Sequence, residues 1–129
     1  MKTNPKLAPA VLAGLSMGVA GARLIYAQQA KAPPAYVIAE VDVTDPDNMA
    51  MYGKKVPDTL APFNHHYLVI GGKTQSLEGE PPKTIVVIAF DSAEKARDWY
   101  DSPAYEAIRP IRQRSAESRV FIAEGVAPQ

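Results

Sequence analysis

The residues with the most chemical potential in this chain cluster in the stretch "DWYDSPAYEAIRPIRQR", positions 98–114. It holds Trp99, Tyr100 and Tyr105 together with Arg109, Arg112 and Arg114. On a helix that starts at Pro103, Tyr105, Arg109 and Arg112 fall at i, i+4 and i+7 and share one face. Ala104, Ile108 and Ile111 share another face, which is expected to meet the core. The Tyr-Arg-Arg face is either a solvated flank tied to Glu106 or Asp101, or the wall of a small anion-binding pocket, because a guanidinium fork suits a carboxylate. Elsewhere, His65 and His66 are the only histidines, and there is no cysteine. Neighbouring strand residues point to opposite faces, and zinc needs three or four ligands, so no metal site is expected. A single histidine, His66, remains a candidate acid or base if it lies in a pocket. Glu40 and Asp42 are carboxylates on a strand; partial burial there would raise their pKa, or arginines of a second subunit would pair with them. Ser92, Ser102 and Ser115 have no neighbouring base, and most of them read as caps. Gly-rich phosphate loops, nucleophile elbows and metalloprotease helices are not found.

The elements that must position these groups are legible from periodicity. "YVIAEVDV", 36–43, reads as a strand with Val37, Ala39, Val41 and Val43 on one apolar face and Tyr36, Ile38, Glu40 and Asp42 on the other. Asp45 caps a helix whose first residue is Pro46, and Pro57 is expected to kink or end it. "HYLVI", 66–70, is a second strand, with a bulge or turn expected at Gly71-Gly72. A long connection over 73–83 leads to "TIVVIAF", 84–90. Ser92 caps a helix over 93–101, Ser102-Pro103 starts another that Pro110 is expected to bend, and "RVFIAE", 119–124, is the last strand. Met49 and Tyr52 follow their cap by the same steps as Ala96 and Trp99 follow Ser92, so Tyr52 and Trp99 are expected at equivalent places on the sheet. The order strand, helix, strand, strand, helix, strand is α+β: a ferredoxin-like βαββαβ chain with an antiparallel sheet and helices on one face.

That architecture makes a demand. The third strand is apolar on both faces, with Val86, Ile88 and Phe90 on one side and Ile85, Val87 and Ala89 on the other. Continuous apolar runs belong to sheets buried on both faces, yet the helices of this fold cover one. A second copy of the chain, packed sheet against sheet about a two-fold axis, is the expected cover.

The first third of the 129 residues reads differently. A short basic start is followed by the uncharged run "LAPAVLAGLSMGVAGA", 7–22, then Arg23 and "LIYAQQA". This is the layout of a secretory signal, shorter than the ~20 apolar residues a spanning helix needs. Residues 1–27 are therefore expected to be a signal peptide, cleaved near 27–30, with 28–35 a linker, 36–125 the folded domain, and a periplasmic or secreted product. Cleavage would take three of the 14 basic residues and none of the 14 acidic ones, leaving a net acidic chain with no basic stripe for nucleic acid and no membrane anchor.

Four segments, "YVIAEVDVTDPDNMAMY", "LVIGGKTQSLEGE", "VVIAFDSAEKARDWYDSPAYEAIRPIR" and "FIAEG", resemble the family called domain of unknown function 1330. The most specific part is F-x-S-x-x-x-A-x-x-W-Y-x-S-x-x-Y, carried by Phe90, Ser92, Ala96, Trp99, Tyr100, Ser102 and Tyr105. The resemblance implies a dimeric α+β barrel and leaves chemistry open, since that larger group includes cofactor-free monooxygenases, isomerases and haem enzymes. The chain departs from the family pattern at Asn64-His65, where a Gly-Gly turn is usual, and at Ile70, where an arginine is usual, so no role resting on that arginine carries over. Three readings follow. The first is a homodimer with a small-molecule cavity in each subunit, lined by candidates Tyr52, Trp99, Tyr105, Arg109, His66 and Glu40, with no cofactor. The second is a structural or interaction dimer without a ligand. The third is a cofactor-free monooxygenase or isomerase.

Overall fold

The computed structural model describes residues 32–129, so the leader at 1–27 and residues 28–31 of the linker lie outside the described residues. Residues 33–129 form one compact unit. Its elements run β1 (Ala35–Val43), α1 (Pro46–Leu60), β2 (His65–Ile70), β3 (Thr84–Phe90), α2 (Ala93–Tyr100), α3 (Pro103–Ser115) and β4 (Ala116–Glu124). The four strands make one antiparallel sheet in the order β2-β3-β1-β4. This is the expected ferredoxin-like α+β arrangement.

Local chemistry starts each helix as its sequence dictates. The Asp45 carboxylate accepts from the Asn48 N–H at 3.2 Å, Ser92 Oγ from the Lys95 N–H at 3.2 Å, and Ser102 Oγ from the Tyr105 N–H at 3.3 Å. Pro46 and Pro103 occupy first-turn positions, where a missing N–H leaves nothing unsatisfied. The Ser115 carbonyl accepts from both the Thr44 and Asp45 N–H groups, at 2.8 and 3.0 Å, which ties the end of α3 to the entry of α1.

Neither internal proline ends its helix. α1 continues through Pro57 to Leu60, and α3 through Pro110 to Ser115. A proline inside a helix costs about 3 kcal/mol. In α1 the turn around Pro57 buries Val56, Thr59 and Leu60, and each well-buried aliphatic side chain returns roughly 1.5–3 kcal/mol. The Ala61 N–H closes the helix onto the Pro57 carbonyl at 3.1 Å.

β2 leads into a turn at Gly71, whose φ is 58°, and carries a bulge as well. Its pairing with β3 jumps between Tyr67 and Val69, so Leu68 is the bulged residue and the irregularity precedes Gly71-Gly72. The extra residue returns Ile70 to the face Tyr67 occupies: Tyr67 lies opposite Ile88, and Ile70 opposite Val86. Gly125 follows β4 at a position with no room for a side chain: a Cβ there would lie 2.7 Å from the Tyr36 ring and 3.0 Å from Pro34.

All three helices pack on one face of the sheet. The core joins Val37, Ile88 and Phe90 of the sheet to Tyr52, Val56 and Leu60 of α1, Ala96 and Trp99 of α2, and Tyr105 and Ile108 of α3. The opposite face carries Tyr36, Ile38, Ile85, Val87, Ala89 and Ala123, half-buried within the single chain, and the exposed Phe121. No helix among the described residues is long and apolar enough to cross a membrane.

Leu60 is fully buried and Leu77 is 93% exposed. Leu60→Ala is therefore expected to lower the unfolding free energy by about 2–5 kcal/mol. Leu77→Ala should change it by less than about 0.5 kcal/mol. Urea titrations of both variants check this; equal effects would place the core elsewhere.

Candidate functional site

Between the sheet and α1 and α3 lies a cavity of ≈ 320 Å³, inside the ~300–1,000 Å³ range of small-molecule sites. Its floor is the helix-side face of the sheet: Val37, Ala39 and Val41 of β1, Val86 and Ile88 of β3, and Val120 of β4. α1 contributes Met49, Tyr52 and Val56. Exposed Gly53, Pro57, Tyr67 and Ile70 form the rim. The bulge at Leu68 is what turns both Tyr67 and Ile70 toward this side.

The inner end is aromatic. Trp99 stacks on Phe90 with centroids 5.6 Å apart and tilts against Tyr105 at 4.2 Å. Tyr52 meets Tyr105 edge to face at 6.3 Å, and their hydroxyls share a hydrogen bond of 2.7 Å. A pair of phenols owns two protons and uses one between them, so one O–H remains to donate. Burial first, and the neighbouring Tyr105 second, push the Tyr52 phenol far above its ordinary pKa, so it stays protonated. Burial and Tyr105 also raise Tyr67.

Arg112 is the charged member of the wall, and only 5% of it is exposed. Burial works against its charge, but the phenol oxygens of Tyr105 and Tyr52 more than offset that, so the guanidinium holds its proton more tightly than usual. Nη1 donates to Ser118 Oγ, whereas Nε is buried without a partner among the described residues. The ion pairs among those residues are Lys83–Asp42, Arg97–Asp101 and Arg119–Glu40, and Arg112 belongs to none of them. Among the described residues no carboxylate or histidine lines the cavity.

The sequence candidates separate into two groups. Tyr52, Trp99 and Tyr105 come together around the cavity. Arg109, His66 and Glu40 do not. The Arg109 guanidinium lies 4.6 Å over the Tyr100 ring and donates to the Tyr100 carbonyl at 3.1 Å. His66 is exposed and pairs with Ala89 on the outer face of the sheet, because strand alternation sends it opposite to Tyr67. Glu40 lies on that same outer face, 3.5 Å from Arg119. At the strand entry the His65 Nδ1–H donates to the Phe63 carbonyl at 2.7 Å. Among the described residues no cluster of three potential metal ligands occurs.

Arg112, placed by the sequence on the Tyr-Arg-Arg face but not among the candidate lining residues, is the arginine of that face that reaches the cavity. The buried stripe of α3 is Tyr105, Ile108, Arg112 and Ser115, and Ala104 is exposed. The expectation that Ala104, Ile108 and Ile111 face the core thus holds in full only for Ile108. The tyrosine ring offers far more apolar area than an alanine methyl, so the helix turns Tyr105 inward. Arg112, two turns later, follows it. The i+7 spacing from Tyr105 was the available signal.

A family model described as domain of unknown function (DUF1330) matches residues 34–126. No curated protein matches the chain. Among solved structures, a protein of unknown function from Rhodopseudomonas palustris is 18% identical with a TM-score of 0.59, over 81% of this chain and 93% of that one. A dimeric ferredoxin-like protein of unknown function from Thermobifida fusca is 18% identical with a TM-score of 0.51, over 72% and 92%. SnoaB, a cofactor-independent oxygenase from Streptomyces nogalater, is 14% identical with a TM-score of 0.51, over 76% and 96%. At such identities the likeness is one of fold. The family match takes in the whole sheet, all three helices and every cavity-lining residue, and the chain belongs to the domain of unknown function 1330 family.

Proposed function

We propose that the protein is an exported homodimer in which each subunit binds a small molecule in the cavity between sheet and helices. The observation that carries this reading is the cavity itself: ≈ 320 Å³ enclosed by an apolar floor and an aromatic inner end. At ~30 Å³ per water-sized group, it has room for roughly ten such groups. Close packing is the norm in protein interiors, and a void of this size, rimmed by exposed residues, is a feature that ligand binding accounts for.

Binding is favoured over catalysis by the composition of the wall. The groups that most often abstract protons near neutral pH are histidines and carboxylates. The cavity offers tyrosines instead, and Tyr52 is held protonated. The likeness to a cofactor-independent oxygenase extends to the fold and supplies no base.

The homodimer rests on the outer face of the sheet. Ile38 lies between Val87 and Phe121 across three strands, which makes a continuous apolar strip with no helix over it among the described residues. Burying such a strip contributes about 25 cal/mol per Å². The ion pairs Glu40–Arg119 and Lys83–Asp42 lie at one end of it as a charged rim. The fold neighbour from Thermobifida fusca is described as dimeric, which supports the same reading here. Export rests on the leader pattern of residues 1–27.

Native mass spectrometry of protein taken from its own host should give twice the mass of a chain beginning between residues 28 and 31, and Phe121→Glu should halve that mass with the circular dichroism intact. A lone subunit would refute the dimer, and a start at Met1 would refute export. Trp99 is the sole tryptophan and lines the cavity, so its fluorescence reports occupancy. Titration with small aromatic compounds should change that emission saturably. Ala39→Leu, which fills the floor, should weaken the response at least about tenfold, equivalent to 1.4 kcal/mol. The Tyr52 shift adds a pH signature. A phenol whose folded pKa exceeds its unfolded value of about 10 gives full stabilisation below pH 10 and loses it as pH rises further. Unfolding free energy should fall above pH 10 by up to about 1.4 kcal/mol per pH unit more steeply in the wild type than in Tyr52→Phe, and equal slopes would contradict the buried phenol.

A further inference from the structure

We infer that the ligand class of this cavity is an amphipathic organic monoanion: an apolar, flat or chain-like body ending in one carboxylate. This rests on the cavity reading above and adds the chemistry of the head group.

The inference comes from Arg112. A buried cation with no anionic partner is among the most unfavourable arrangements a protein interior can hold. Here Arg112 is a buried residue and takes part in none of the ion pairs of the described residues; among those residues no carboxylate lines the cavity with it, and Glu117 borders the separate, open hollow on the Ser118 side. Its hydrogen bonding runs through Nη1 to Ser118, on the β4 side. Nε is the buried donor without an acceptor among the described residues, and it belongs to one of the two-toothed edges with which arginine grips a carboxylate. The Tyr52–Tyr105 hydroxyl pair adds one further O–H. These groups together supply donors and a positive charge, while the rest of the lining is apolar.

Charge selects among occupants. A neutral apolar molecule would fill the cavity and leave Nε without an acceptor. A cation would meet repulsion. A dianion such as a phosphate monoester would bring one charge more than the single cation can balance, into an apolar chamber. A monoanionic carboxylate closes the balance and satisfies Nε.

The test is a calorimetric titration of the full-length folded protein at pH 7 with three probes that share one body and differ in the head: phenylbutyrate, phenylbutanol and phenylbutylamine. Phenylbutyrate should bind at least about tenfold more tightly than the alcohol, as expected for charge-assisted hydrogen bonds, and the amine should bind most weakly. Arg112→Gln should collapse the preference for the carboxylate, and Arg112→Lys, which keeps the charge without the fork, should restore part of it. Equal binding of acid and alcohol by the wild type would overturn the monoanion inference while leaving the cavity reading standing. Failure of all three probes to bind would count against both. Should the Arg112 variants not fold, the wild-type comparison still decides, and a second wild-type measurement supports it: phenylbutyrate affinity should decline as pH drops through the probe's own carboxyl pKa, whereas phenylbutanol affinity should not.

Discussion

Trp99 is the side chain on which the arrangement of this molecule turns. Its indole lies on Phe90 of β3, tilts against Tyr105 of α3, and donates from Nε1 to Thr59 Oγ1 of α1 at 3.0 Å. Thr59 in turn donates to the Val56 carbonyl at 2.7 Å, so each polar atom in this buried chain has a partner. One residue of the short helix α2 thereby fixes the distances among sheet, α1 and α3. A buried indole gives large apolar contact but needs an acceptor for its N–H. Thr59, in the turn of α1 that follows Pro57, provides it. That requirement also explains why α1 must run on past the proline: stopping at Pro57 would leave the indole without its acceptor.

The same cluster explains why there is space in the interior. Three rings at one end hold α1 and α3 away from the sheet, while the floor between them carries Ala39 and four valines, Val37, Val41, Val86 and Val120. Short side chains beneath widely held helices cannot fill the gap. Gly53 adds no side chain at the rim, and a Cβ placed there would meet nothing within 4 Å. The chamber is thus a consequence of where large and small residues fall along the elements that line it.

Much of this was legible in the sequence because the information was local. Asp45, Ser92 and Ser102 are short polar residues placed where a helix lacks acceptors, and each caps as read. The strand order followed from alternation and the ferredoxin-like fold from that order. Tyr52 and Trp99 came out on the sheet side because their offsets from their caps set their faces. What was not legible depends on competition between elements. Tyr105, Arg109 and Arg112 fit one broad face on spacing alone, and only packing decides that Tyr105 and Arg112 turn inward while Arg109 covers Tyr100. The bulge at Leu68 leaves no mark in an apolar run, since shifting one greasy residue against another preserves the pattern. His66 and Glu40 were assigned to a pocket by residue type, whereas their side of the sheet follows from pairing with Ala89 and Arg119.

β1 is a party wall. Val37, Ala39 and Val41 look into the chamber, and Ile38 and Glu40, their immediate neighbours along the chain, look out the other way. Both surfaces are therefore written into one strand with a period of two, and sliding it by a single position would exchange every inward group for an outward one. Insertions or deletions of one residue are structurally intolerable in this segment. The connection between Ile70 and Thr84 borders no such double surface and is free to drift in length. Over evolutionary time the interior chamber and the exterior sheet can change their side chains independently, but they are bound to share a single reading frame.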